Sequence, residues 1–398
     1  VKRIACVVTA RPSWSRVRTA LRACRDRGLE VHVIAAASAV VWKYGKVADA
    51  IREEGYPVTE VSAVVEGSTG RDAAISTGVL LTQLPLALET VRPELVITIA
   101  DRHETIATAI AARNLGIPLL HLQGGERSGS IDDRIRDAVT QLADIHCVSN
   151  QTAAGEVLLA RTREEHWLYS MEGAEEHGVH VTGCPSIDLA REAMELGPLP
   201  GSEGHVIVLQ HPVTEEAEQA AAQMEATIEG VQRTGLPAHW FWPGEDAGAD
   251  AMSKVMRMHG LKPTRNLPAI DFLRLLLGAR CIVGNSSVAI RECSYLGVPA
   301  VDIGTRQRGR ARAENVTAAD HEPESIRRAI HWQVHDEIQS DPRRSTLYGD
   351  GHAGERVADV IVKALGVEEQ ECTCYEAEFG HQPGCYYSRK KRSEVAVG

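Results

Sequence analysis

No run of apolar residues in this 398-residue chain approaches the roughly 18 to 20 that a bilayer crossing needs, so no transmembrane helix is expected. Nor is there an excess of positive charge. The net charge is −11 and the pI about 5.8, which argues against nucleic acid or an anionic membrane as the main partner. Any phosphate site must then be assembled locally, from a few arginines and backbone N–H groups. The first residues, Val1 to Val8, lack the apolar h-region and cleavage site of a secretory signal. A paired cysteine framework is also missing: Cys6, Cys24, Cys147, Cys184, Cys281 and Cys293 are scattered singly through apolar segments, as reduced core residues would be. These absences together predict a cytoplasmic protein. No short internal repeat is evident.

What is present is an alternation of short apolar runs and amphipathic stretches. Lys2–Val8, Leu29–Ala35, Leu95–Ala100, Pro118–Leu122 and Ile145–Val148 read as strands, with helices such as Arg16–Arg25 and Ile106–Asn114 between them. The rhythm resumes with His205–Leu209, His239–Trp242, Cys281–Val283 and Ala300–Ile303. It predicts an α/β fold of parallel sheets covered by helices on both faces. The clearest linker by composition is Leu196–Gly204. The expected organisation is two Rossmann-like domains with a cleft between them: residues 1–185, residues 186–366, and a cysteine-containing tail at 367–398.

Ligands of open α/β sheets bind beyond the carboxyl ends of the strands, and several polar clusters follow strand ends here. Asp101 and Arg102 close one strand; Gln123 and Glu126 close the next, and Asp132 opens the helix after it. All five are expected to converge on one site. Ser130 and Asp133 have the spacing of a helix cap, and Asp132 and Arg136 that of an ordinary i, i+4 surface pair. The segment Ala10–Arg16, with Arg11 and Ser15, opens a helix after the first strand, a setting that suits phosphate as well as it suits a simple polar cap. Gly284-Asn285-Ser286-Ser287 begins another helix, where amides and hydroxyls suit a pyrophosphate, with Glu292 a turn further on for ribose hydroxyls. Gly304–Arg310 is a glycine-spaced arginine loop, in which Arg306 and Arg310 are candidate phosphate or carboxylate clamps. His211 also follows a strand directly.

These blocks, in this order, resemble the hydrolysing UDP-N-acetylglucosamine 2-epimerases of the sialic-acid and legionaminic-acid pathways. The matching segments are Asp101-Arg102, the run His121–Arg136 around Gln123-Gly124-Gly125-Glu126 and Asp132-Asp133, Gly183–Ser186, Gln210–Thr214, Asp246-Ala247-Gly248, Gly284–Ser287 and Gly304–Gln307. The resemblance implies a glycosyltransferase-B architecture with the uridine nucleotide held mainly by the second domain. It also implies elimination of UDP, rehydration of the resulting glycal with inversion at C2, and release of UDP and N-acetylmannosamine. By the same resemblance Asp101 and Asp132 are the acid/base or electrostatic carboxylates. Arg102, Arg11, Ser15 and His211 would contact phosphates or sugar, while Ser286, Ser287, Glu292, Arg306, Gln307 and Arg310 would bind the nucleotide. No cofactor is required for catalysis, and a homodimer or homotetramer is expected.

Three departures stand against the resemblance: Gln123, the run Ser38-Ala39-Val40 where the family often has a histidine, and Pro243-Gly244-Glu245-Asp246 where it has a polar residue after the proline. Where sialic-acid enzymes often carry glutamate, this chain has Gln123, which cannot titrate. Either Glu126 takes up the proton work, or the sugar passes to a small non-water acceptor, as in a UDP-sugar-dependent glycosyltransferase. The tail stands apart. Cys372, Cys374, His381 and Cys385 offer four soft ligands, the number that a structural zinc ion uses, though a mobile tail with free thiols would read the same.

Overall fold

The computed structural model describes residues 1–65, 69–162, 173–244, 246–335 and 344–367. The tail cysteines and His381 lie outside these residues. The first of two sheets has seven strands: β1 (Arg3–Val8), β2 (Glu30–Ala36), β3 (Val58–Val61), β4 (Leu95–Ile99), β5 (Leu119–Leu122), β6 (Ile145–Val148) and β7 (Val179–Val181). Their spatial order is β3-β2-β1-β4-β5-β6-β7, parallel throughout. The second sheet has β8 (Val206–Leu209), β9 (Ala238–Trp240), β10 (Cys281–Gly284), β11 (Ala300–Ile303) and β12 (Val316–Ala319), in the order β12-β11-β10-β8-β9, again all parallel. The two Rossmann-like units expected from the sequence are therefore present.

Helices cover both faces of each sheet, which is why the central strands are apolar without alternation: all five residues of β4 are buried. On one face of the first sheet, Leu21 and Cys24 of the helix Arg18–Asp26 pack with Ile4, Cys6 and Ile97. On the other face, Leu80, Leu84 and Leu88 of the helix Gly70–Val91 meet Ala5, Val7 and Val96. By length and composition this second helix is apolar enough to cross a membrane. In the fold its buried stripe is taken up by the sheet, and a reciprocal Thr69–Asp72 capping box starts it.

The last helix, Ala353–Ala364, corrects one expectation. It falls within the stretch assigned to the second domain, yet Val357, Ala358 and Ile361 complete the core of the first. Asp188 fixes it there. Its buried carboxylate accepts the Ala353 N–H (2.9 Å), the Gly354 N–H (2.7 Å) and the Thr19 hydroxyl (2.9 Å). One acid thus caps the last helix and ties it to the helix Arg18–Asp26.

Three strands have no counterpart in the sequence reading: β3, β7 and β12. Each is a sheet edge, three or four residues long and partly exposed. Edges carry neither the buried run nor a sustained alternation, so periodicity misses them. The strand orders also locate the binding crevice. They reverse between β1 and β4 in one sheet and between β8 and β10 in the other, and ligands sit at such switch points. The segments after those four strands are Ala10–Arg16, Ala100–Glu104, Gln210–Pro212 and Asn285–Ser287, four of the polar clusters singled out above.

Candidate active site

A cavity of about 740 Å³ opens between the two sheets at these carboxyl ends. Arg11, Ser15 and Arg16 reach it from β1, Arg102 from β4, His211 from β8, Ser286 and Ser287 from β10, and Arg306 from β11. Glu292 also lines it, as do Phe241, Trp242 and Phe272, an aromatic wall that the sequence reading passed over. Among the described residues the lining has seven cationic side chains (Arg11, Arg16, Lys43, Arg102, Arg257, Arg265, Arg306) and three carboxylates (Asp246, Asp250, Glu292). In an acidic protein that local excess of positive charge suits a polyanion.

The remaining site candidates do not line the cavity. Asp101, Gln123, Glu126, Asp132, Gln307 and Arg310 form a polar cluster that adjoins it. Two backbone kinks aim this cluster. Ala100 and Gln123, at the ends of neighbouring strands, both take left-handed conformations, with φ of 61° and 66°. Each costs about 1–3 kcal/mol in a residue with a Cβ and is held by its surroundings. The Ala100 N–H donates to Leu122 O (2.8 Å), the Gln123 N–H donates to Cys147 O (2.8 Å), and the His121 ring donates from Nε2 to Ala100 O (2.9 Å).

Asp101 is buried against the Arg136 guanidinium, with Arg310 Nη2 at 3.8 Å. Burial alone would raise its pKa, but Arg136, Arg310, Arg16 and Arg291 together hold the carboxyl well below the usual carboxylate range. Asp132 has the opposite environment. Burial raises its pKa, the nearby Asp101 charge raises it further, and Asp246 adds to both; against the partial relief from Arg306 and Arg136 the carboxyl is pushed up to about 7. The sequence reading paired Asp132 with Arg136 across a helix turn. Instead Arg136 turns to Asp101 and to Asp133 (2.6 Å), and no ion pair to Asp132 occurs among the described residues. Asp133 is structural: it accepts the Ser128 N–H and Gly129 N–H, both at 2.8 Å, while Ser130 Oγ accepts the Asp132 N–H at 3.3 Å.

Two expectations are corrected by these contacts. Glu126, a candidate for the proton work, is only 6% exposed and lies between Arg310 and Arg291 (3.3 Å), with the Ser149 hydroxyl donating to it (3.0 Å). A carboxylate between two guanidiniums is a poor base, because the cations favour the charged form. Arg310, a candidate phosphate or carboxylate clamp that the resemblance assigns to the nucleotide, holds carboxylates, with its guanidinium spent on Glu126, Asp101 and Gln307. Gln307 is likewise spent, donating to Asn285 O (3.0 Å) and accepting from Arg310 Nε (2.5 Å). Gln123 accepts from Arg291 (3.0 Å) and donates to Cys184 Sγ (2.8 Å).

The cavity wall is built by a different set of bonds. Asn285 fixes the His211 backbone from both sides: its Oδ1 accepts the His211 N–H (2.7 Å) and its Nδ2 donates to His211 O (2.8 Å). The Gly244 N–H donates to His211 Nδ1 (2.8 Å), which leaves the ring proton on Nε2. Burial and the neighbouring Arg306 push His211 down to about 3, so it stays a neutral donor at physiological pH. Arg306 reaches Asp246 (3.5 Å) and Asn285 O (3.4 Å). Arg16 donates to Ser287 Oγ (3.1 Å) across the two domains, and Arg102 makes a fork to the buried Glu104 (3.1 Å twice). The long helix expected after Gly284 is broken, into one 3₁₀ turn at Ser287–Ala289 and the short helix Glu292–Leu296. Gly284 itself is required, since a Cβ there would run into Leu209 O at a φ of 139°.

Arg16, Arg136 and Arg291 were not among the site candidates, although Arg16 and Arg136 stand inside the quoted segments and Arg291 immediately precedes Glu292. Charge alone could have found them: a set of acids at strand ends needs cations to be buried with it.

The family profile described as UDP-N-acetylglucosamine 2-epimerase matches residues 22–362. A UDP-N-acetylglucosamine 2-epimerase of Neisseria meningitidis serogroup B is 27% identical over 342 residues, covering 83% of this chain and 87% of that protein. A hydrolysing UDP-N,N'-diacetylbacillosamine 2-epimerase of Legionella pneumophila is 24% identical over 385 residues, covering 94% and 100%. Among solved structures, the Staphylococcus aureus MnaA–UDP complex superposes with a TM-score of 0.74 at 19% identity, over 96% of this chain and 100% of that one. The Neisseria meningitidis UDP-GlcNAc 2-epimerase bound to UDP-GlcNAc gives 0.72 at 14% identity, over 91% and 100%. These superpositions establish the shared two-domain fold. With a profile match over most of its length, the chain belongs to the UDP-N-acetylglucosamine 2-epimerase family, and is an enzyme.

Proposed function

We propose that this enzyme is a hydrolysing 2-epimerase of a UDP-linked 2-acetamido sugar. The observation that carries the reading is a juxtaposition: an acid that titrates near 7, Asp132, adjoins a cation-rich cavity of nucleotide-sugar size. The solved relatives hold UDP or UDP-GlcNAc, and two curated relatives are named as hydrolysing enzymes, which supports both substrate class and reaction.

In this reading the diphosphate lies among Arg11, Arg16, Ser286, Ser287 and Arg306, and the aromatic wall receives the base. Asp132 takes the proton from C2 as the C1–O bond to UDP breaks, leaving a glycal. Charge that develops on the departing diphosphate is met by the arginines and by His211 Nε2–H, donors already in place before the bond breaks. Water then adds its hydroxyl at C1, and a solvent-derived proton arrives at C2 on the opposite face. Asp101 stays ionised throughout. Its charge serves to keep Asp132 near neutrality, where a carboxyl both accepts and gives up protons readily.

Gln123 favours attention to the second reading, glycosyl transfer to a small acceptor, because its amide exchanges no proton at this pH. One experiment separates the two. UDP-GlcNAc and UDP-N,N'-diacetylbacillosamine are each incubated with the enzyme in D₂O and followed by NMR. Free UDP with a C2-deuterated, C2-inverted sugar is the expected result. UDP release with the C2 proton retained would overturn epimerisation, and a sugar found linked to a small alcohol added to the same incubation would establish transfer.

A further inference from the structure

We propose that Arg310 is a positioning residue, supplied by the nucleotide-side domain to complete the carboxylate cluster of the other domain, so that the proton-transfer site depends on contacts from both halves. The proposal rests on the nucleotide-sugar reading of the cavity, and goes beyond it in coupling the two halves.

The contacts run in one unbroken line. Asn285 follows β10 and stands beside Ser286 and Ser287, which line the cavity; it also holds the backbone of His211. Its carbonyl accepts from Gln307 Nε2 (3.0 Å). Gln307 Oε1 accepts from Arg310 Nε (2.5 Å), which fixes the plane of the guanidinium. That guanidinium then crosses to the first domain and meets Glu126, after β5, and Asp101 (3.8 Å), after β4. Arg310 is 8% exposed although it carries a full charge, and it does not line the cavity. Its place makes sense as a holder of carboxylates rather than of phosphates.

A parallel strut runs beside it. Arg291, also from the second domain and 1% exposed, reaches Glu126 (3.3 Å) and Gln123 (3.0 Å). The backbone closes the seam further: the Gly309 N–H donates to Ser128 O (3.3 Å), and the Ile131 N–H donates to Glu215 (2.5 Å), immediately before Asp132. An ionic seam of this kind differs from an apolar one. Buried ion pairs contribute little net stability, because on opening each ion recovers its hydration. Such a seam can part and re-form, while an aligned closed state still brings the charges into register. Closure of two domains on a bound ligand commonly completes a catalytic set in this way. Here the seam places the cations that keep Asp101 ionised and aimed, and Asp101 in turn sets Asp132. The charged groups facing Asp101 are Arg136 of its own domain's helix Asp132–Leu142, Arg16 from the segment after β1, Arg291 and Arg310 from the second domain, and Asp132.

The test uses the full-length enzyme with Arg310→Gln and Arg310→Lys. For Arg310→Gln the expected kcat is lower by about 100-fold or more, while KM and the UDP Kd from calorimetry stay within about threefold. Without this cation the field of Asp101 on Asp132 grows, so the limb of the kcat–pH profile that reports Asp132 moves to higher pH; Arg310→Lys recovers part of both effects. A UDP Kd weakened about tenfold or more, in step with kcat, would show a phosphate clamp and overturn the proposal. An unchanged kcat and profile would overturn it equally. If the wild-type enzyme turns over no UDP-sugar, it is the functional reading that fails, and a double-mutant cycle of Arg310→Gln with Glu126→Gln in thermal unfolding still decides the contact. Coupling between the two supports it, and strict additivity rejects it.

Discussion

The carboxylate cluster and the cavity beside it treat charge in opposite ways. On the floor of the first domain, Asp101 and Glu126 are buried with arginines at their side, and Asp133 is bound by Arg136 and two backbone amides. Around the cavity, on residues drawn from both domains, the balance is reversed, seven cations against three carboxylates among the described residues. Neutralised charge is architecture; charge in excess awaits a ligand. Asp132 belongs to neither class. Among the described residues it is an acid with no ion-pair partner, set beside another acid, and so its proton is available near neutral pH. The comparison tells which polar residues of a cluster do chemistry better than their proximity does.

The sharpest way to break the comparison is at Asp132. Asp132→Asn keeps the shape and removes the proton acceptor, so kcat should fall by about 10³-fold, within the usual range for losing a general base, with the UDP Kd nearly unchanged. Calorimetry and steady-state kinetics on the same preparation check this. If turnover survived, the proton would have to leave by another group, and the contrast between the floor and Asp132 would lose its meaning.

The next effect is in the cavity. Arg306 stands at the cavity with Asp246 at 3.5 Å, a distance that leaves room for a stronger partner. Arg306→Ala should weaken UDP binding by about 10- to 100-fold, the measure of a charge-assisted hydrogen bond lost, with a smaller change in kcat. A variant that bound UDP as wild type does would take Arg306 out of the diphosphate site.

The fold and the outline of this site were legible in the sequence, and the division of labour was not. Uninterrupted apolar runs such as Leu95–Ile99 announce central parallel strands, and the polar clusters after them mark the switch points, because both follow from local pattern. Edge strands β3, β7 and β12 escaped since an edge has only a weak local pattern. Arg310 and Arg306 look alike in the arginine loop, four residues apart, and only the tertiary fold sends one to carboxylates and the other to the cavity. The same holds for Arg136, whose spacing from Asp132 suggests a pair that Asp101 wins. The last helix was assigned by sequence position to the second domain, but its partner, Asp188, lies some 165 residues earlier in the chain.

The smallest effect reads the same contrast through stability. Asp132 has a folded-state pKa raised to about 7 from an ordinary value of 3.8, so in the interval between them the native state binds the proton that the unfolded chain has already lost. By linkage, Asp132 makes the protein less stable as pH rises through that window; below about 4 it is protonated in both states and contributes no slope, and above about 7 the penalty is complete. Asparagine carries no such penalty. The unfolding temperature of Asp132→Asn should therefore equal that of wild type near pH 4, rise above it between pH 4 and 7, and stay higher at pH 8 by roughly 5 °C. Asp101 predicts the reverse sign, because its folded pKa is depressed: its contribution is present at neutral pH and fades on acidification. Thermal scans of Asp132→Asn against wild type across this range isolate the effect, since all other titrations are common to both. A difference that did not vary with pH would mean that Asp132 ionises as freely in the fold as in the unfolded chain, and that it is no more suited to proton transfer than any surface acid.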